Sequence, residues 1–126
     1  MDATRTLTTV YQEFFALQEW GFDSCKIVLS SPIIDQVLEM HKNTPFDLVV
    51  TENFNTDCML GVIYKLNIPF IGLSSCALMP WHYDRVGMPD TPSFIPSEFV
   101  GFSDKMSFSE RLFNWFTVQT IKLLYR

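Results

Sequence analysis

FDLVVTENFNTDCMLGVIYKLNIPFIGLSS, residues 46–75, carries the outline of the fold. Its opening, 46–51, is a short and nearly continuous apolar run rich in β-branched residues, the pattern of a buried strand. Residues 53–55, Asn-Phe-Asn, are turn and cap formers. Met59, Leu60, Val62, Ile63 and Leu66 then recur at i, i+1, i+3, i+4 and i+7, one face of a helix that Asn67 closes. Residues 68–73 make a second short strand, with Pro69 at its start because proline cannot donate to a ladder. Strand, helix and strand with tight connections form a βαβ unit, so the strands are predicted parallel and end on one edge of the sheet. Open α/β sheets bind ligands outside that carboxyl edge. Glu52 follows the first strand there, and Ser74 and Ser75 follow the second.

Upstream, Leu7, Val10, Phe14 and Leu17 recur at helical spacing, which predicts a helix over 6–20 with Gly21 ending it. Residues 22–29 are apolar and read as helical. Ser31 and Pro32 suit the cap and first position of a further helix. Ile34, Val37, Leu38 and His41 share one face of it, and Asn43-Thr44-Pro45 stops it. His41 falls at that helix's C-terminus, where an imidazolium is favoured, and reads as structural.

Downstream, 76–104 holds four prolines, two glycines and no sustained period, a long loop of the kind that is usually functional. Leu78, Met79, Trp81, Tyr83, Val86 and Met88 give it too much apolar surface for a solvated linker. Ser107-Phe108-Ser109-Glu110 is a capping box. The helix it opens is apolar on more than one side, through Leu112, Phe113, Trp115, Phe116, Val118, Ile121, Leu123 and Leu124, and needs cover on most sides. The expectation is that the sequence is part of a larger protein.

The 126 residues suffice for one modest domain, and 48% of them are hydrophobic. A net charge of −5 argues against nucleic acid as a partner. Cys25, Cys58 and Cys76 are widely spaced and odd in number, neither a disulfide framework nor a zinc pattern, and are predicted to be free buried thiols. Neither histidine has a partner at metal-ligand spacing, so no metal site is expected. The Met1 end is polar and unlike a signal peptide. No stretch reaches the roughly eighteen apolar residues of a spanning helix. Neither G-x-G-x-x-G nor G-x-x-x-x-G-K occurs, so any nucleotide is held by other residues.

Glu52 is the leading candidate for chemistry, since a carboxylate at a parallel strand's end sits where a base, or the partner of a base, is often placed; on spacing alone it reads more often as an ordinary polar residue beginning a loop. Asp57 is its alternative, although a place in the first helical turn explains it structurally. Gly72-Leu73-Ser74-Ser75-Cys76 resembles the G-x-S-x-G nucleophile elbow but ends in Cys, with His82 nearby. Serines after a strand are more often turn formers or ligand donors. Trp81 and Tyr83 are candidate pocket walls, with packing beneath the loop as the equal alternative.

FDLVVTENFNTDC, IPFIGLSSCALMPW, PDTPSFIP and FSDKMSFSERLFN, in that order, resemble the acceptor-side half of the UDP-glucuronosyltransferase and UDP-glucosyltransferase family, most closely its insect members. The resemblance implies α/β architecture: a partial Rossmann-like N-terminal domain of a GT-B glycosyltransferase, with 1–126 an incomplete acceptor-binding domain and the UDP-sugar-binding domain absent. It implies inverting transfer of a hexosyl or glucuronosyl group from a UDP-sugar to a small lipophilic acceptor, as in detoxification. No cofactor or metal is implied. A histidine takes the acceptor's proton and an aspartate steadies it. The position matching that aspartate is Glu52, while neither His41 nor His82 matches the histidine. Ser74, Ser75, Trp81 and Tyr83 would contact the acceptor. The resemblance further implies anchorage in the endoplasmic reticulum membrane on its lumenal side, through a helix not present here, and leaves room for homo- or hetero-oligomers. A non-catalytic module binding hydrophobic ligands or a partner subunit is the rival reading, with a serine hydrolase using Ser74 or Ser75 behind it.

Overall fold

The computed structural model describes residues 7–126. Its elements are α1 (Leu7–Leu29), α2 (Pro32–Asn43), β1 (Val49–Glu52), α3 (Met59–Leu66), β2 (Phe70–Leu73), α4 (Pro80–Val86) and α5 (Phe108–Leu124). They fall into two compact units, Leu17–Cys76 on the one hand and Ala77–Arg126 with the start of α1 on the other. The predicted helix start at Thr6 and the Leu7 side chain lie outside the described residues.

In Leu17–Cys76 the strands pair in parallel, Val49 opposite Phe70 and Glu52 opposite Leu73. The ladder runs one bond further at each end: Val49 N–H donates to Pro69 O at 3.0 Å and Asn53 N–H to Leu73 O at 2.6 Å. Pro69 thus stands before the strand and contributes only its carbonyl. α3 buries Val62, Ile63 and Leu66 and ends at Asn67 in the left-handed region, φ 54°. The strands themselves are less buried than their composition predicts. β1 alternates between half-buried and exposed, and β2 is exposed throughout. Among the described residues neither strand has a further neighbour, which leaves most of their apolar side chains uncovered, whereas parallel sheets are normally covered on both faces.

α1 does not stop at Gly21. It continues to Leu29, because this glycine serves a close approach: a Cβ there would stand 2.8 Å from Asn55 O. Asn55 Nδ2 donates to Leu17 O at 3.4 Å across the same contact. Cys25, one helical turn on, forms a disulfide with Cys58 at the start of α3, Cα atoms 5.9 Å apart. This corrects the expectation of free thiols for both. Closing a loop across 33 residues stabilises the fold by about 4 kcal/mol in the chain-entropy picture. Cys76 remains outside any disulfide. Ser31 caps α2 by accepting from Ile33 N–H, and Pro32 takes the first position as predicted. At the other end of α2, His41 Nδ1 accepts from Phe46 N–H at 3.0 Å, the structural role expected of it.

In the second unit the predicted loop is interrupted by a helix. α4 has Pro80 in its first turn and Gly87 at its C-cap with φ 66°, the usual asymmetry of helix ends. Trp81 lies in the core, stacked on Tyr125 at 4.3 Å, with Phe14 at 5.9 Å and Phe99 at 6.3 Å. The rest of the proline-rich segment is fastened to α5. Fully buried Asn114 donates to Pro92 O at 2.6 Å and Ile95 O at 2.8 Å and accepts from Ser97 N–H at 2.9 Å. Lys122, 9% exposed, pairs with Asp84 at 2.9 Å and Asp90 at 2.7 Å. The capping box of α5 forms as predicted, Ser107 N–H donating to Glu110 Oε2 at 2.7 Å. No helix among the described residues is long and apolar enough to cross a membrane.

Candidate functional site at the carboxyl edge of the sheet

Glu52 is the last residue of β1, not the first of the loop, and its side chain is exposed. Ser75 Oγ donates to Glu52 Oε1 at 3.1 Å. The neighbouring Ser74 Oγ donates instead to Cys76 O at 2.9 Å. The two serines therefore have different partners, one a turn and the other the carboxylate. Neither hydroxyl bonds an imidazole among the described residues.

Asp57 lies two residues before α3, with Cys58 as the N-cap, and so not in the first helical turn. Its carbonyl accepts from Leu60 N–H at 3.0 Å. The Thr56 hydroxyl accepts from Cys58 N–H at 3.1 Å and meets Cys25 Sγ at 2.6 Å. The loop between β1 and α3 is thus tied down on one side by the disulfide and Thr56. On the other side the Asn53 side chain lies across Gly72, where a Cβ would overlap it. Sequence reasoning missed Asn53, Gly72 and the disulfide as supports of the Glu52 edge. Gly72 in a strand was the available signal, since such glycines often mark a close approach.

The candidate aromatics part company. Trp81 is 2% exposed and adopts the packing alternative. Tyr83 is half-buried and lines a hollow of about 50 Å³ with Leu78, Pro80, Pro92, Ile95 and Val118. That volume is far below the roughly 300 Å³ of a small-molecule pocket. His82 is buried, 1% exposed. No group of His, Cys, Asp and Glu suited to a metal ion occurs among the described residues.

A strand–helix–strand unit with a carboxylate and a hydroxyl joined at its carboxyl edge defines an α/β protein. More particularly, the chain belongs to the family described as "UDP-glucoronosyl and UDP-glucosyl transferase", which matches residues 1–126. It is 36% identical over 106 residues to the UDP-glycosyltransferase UGT5 of Dactylopius coccus, covering 82% of this chain and 19% of that one. UGT4 of the same insect is 37% identical over 79 residues, 63% of this chain and 16% of its own. The UDP-glucuronosyltransferase 3A1 of Xenopus laevis is 34% identical over 93 residues, 73% of this chain and 16% of its own. The alignments with these three therefore span less than a fifth of each relative's length. No solved structure matches the chain.

Proposed function

We propose that the chain is the second half of the acceptor-side, N-terminal domain of a longer UDP-glycosyltransferase of GT-B architecture, and that Glu52 serves its chemistry. The family match and the short span of the relatives support this reading. The donor UDP-sugar would be held by a domain outside residues 1–126. An acceptor hydroxyl would attack the anomeric carbon, UDP would leave, and configuration would invert. The acceptor's proton passes to a histidine that is neither His41 nor His82. Glu52, at a rigid strand end, accepts from that histidine's far nitrogen, fixes its tautomer and stabilises the imidazolium as it forms. The acceptor is a small lipophilic molecule. The Cys25–Cys58 bridge supports an oxidising compartment such as the lumen of the endoplasmic reticulum.

The position of Glu52 at the carboxyl end of a parallel strand carries the proposal. In the full-length transferase, Glu52→Gln is expected to lower kcat about a hundredfold or more with little change in KM, because the lost interaction strengthens in the transition state. Asp57→Asn should cost much less. Near-normal kcat in Glu52→Gln, with turnover abolished in a folded Asp57→Asn protein, transfers the role to Asp57.

A further inference from the structure

We propose that Ser75 is a positioning residue that selects which oxygen of Glu52 is free to work; this rests on the reading of Glu52 above. An exposed glutamate at a strand end ordinarily samples several rotamers, and holding it in one costs entropy. Here the backbone on both sides of Glu52 is already fixed. Glu52 pairs with Leu73 in the register, and the Asn53 N–H extends the ladder by one bond to Leu73 O. The Asn53 side chain lies across Gly72, so the two strands are closely apposed at this end, and any side chain at position 72 would displace it. Beyond Leu73, Ser74 spends its hydroxyl proton on Cys76 O and closes a turn in its own chain. Ser75, 23 residues from Glu52 in sequence, spends its proton on Glu52 Oε1.

A serine hydroxyl has one proton to give. Given to Oε1, it orients the carboxylate and leaves Oε2 with both lone pairs to receive an imidazole N–H. The hydroxyl thus restrains the terminal torsion of a side chain whose backbone the ladder restrains. Positioned groups act through geometry held to within a fraction of an ångström, so loss of this bond reaches turnover before binding.

The test is a double-mutant cycle in the full-length transferase. Ser75→Ala is expected to lower kcat about 5- to 30-fold with KM within about twofold. Ser75→Thr, which keeps the hydroxyl, is expected to recover about half of the wild-type kcat or more. Ser75→Ala added to Glu52→Gln is expected to cost less than about twofold further, since both changes remove one unit of function. A merely structural loss would multiply with Glu52→Gln. Wild-type kcat in Ser75→Ala, beside a crippled Glu52→Gln, overturns the positioning role and leaves Glu52 standing. Equal losses from Ser75→Ala in both backgrounds also overturn it. Near-normal kcat in Glu52→Gln alone removes the Glu52 reading and this inference together.

Discussion

Asn114 shows how much one polar side chain can organise. Its amide satisfies three backbone groups of residues 92–97, which otherwise have no ladder to join. Asn114→Ala would leave the buried Pro92 carbonyl and the part-buried Ile95 carbonyl and Ser97 N–H without it, and is expected to cost about 1–3 kcal/mol in urea unfolding. Asn114→Asp should be at least as damaging, because it sets a carboxylate against two carbonyl oxygens. An unchanged urea midpoint in both variants would show that the segment is held by other contacts. Nothing in the sequence marks this residue. In an apolar helical run an asparagine reads as surface, and its partners lie 17 to 22 positions away. The strand-end position of Glu52 was legible for the opposite reason, since a strand end is set by a handful of adjacent residues.

The elements divide along the same line. Caps are local, and the N-caps predicted at Ser31 and at the Ser107–Glu110 box form, although Cys58 rather than Asn53 or Asn55 stands at the N-cap of α3. The Ser107 hydroxyl and then its backbone N–H hold the Glu110 carboxyl below the usual carboxylate value. The charged form is therefore favoured in the folded state. Its contribution is present above the ordinary value near 4.5 and is lost as pH falls through the lowered one. Glu110→Gln should flatten the acid limb of a stability–pH curve, and Ser107→Ala should cost about 1 kcal/mol near neutral pH. Lys122, which joins α5 to Asp84 on α4, behaves in the opposite sense. Burial pushes its ammonium down, but Asp90 and Asp84 outweigh that and leave it above the usual lysine value of 10.5. Its contribution is complete below 10.5 and disappears as pH rises through the raised value. Urea midpoints measured from pH 8 to 12 should fall at the alkaline end in the wild type, and less so in Lys122→Met. α1 and α4 were misread because Gly21 and the Pro80–Gly87 pair have two meanings. Gly21 looks like a stop until Asn55 is placed against it, and prolines look like loop until one stands at a helix start.

For the molecule as a whole, the parallel βαβ unit was readable from residues 46–75 because period and turn chemistry act over short spans. Burial was not readable, since it depends on what surrounds each element. On α5, Leu112, Trp115, Phe116, Leu123 and Leu124 are between 45 and 69% exposed, and Ile71 and Leu73 on β2 are similarly open. The isolated 126-residue chain is expected to associate as concentration rises and to bind a hydrophobic dye, as judged by light scattering and fluorescence. A concentration-independent monomer with a sharp melt would show that these faces are tolerated in water. The isolated chain is also expected to show no saturable calorimetric binding of UDP-glucose, because it has no phosphate-binding loop.

Three cysteines allow three pairings, and the order of synthesis sorts them. Cys25 and Cys58 leave the ribosome before Cys76 does. At about 5–20 residues per second, the 18 intervening residues give the native pair a head start of about 1–4 s. In an oxidising compartment the correct bridge can therefore close co-translationally, before the Cys76 thiol is available to compete for either partner. Reoxidation of the fully reduced chain has no such ordering, and should yield more Cys76-linked isomers than biosynthesis does.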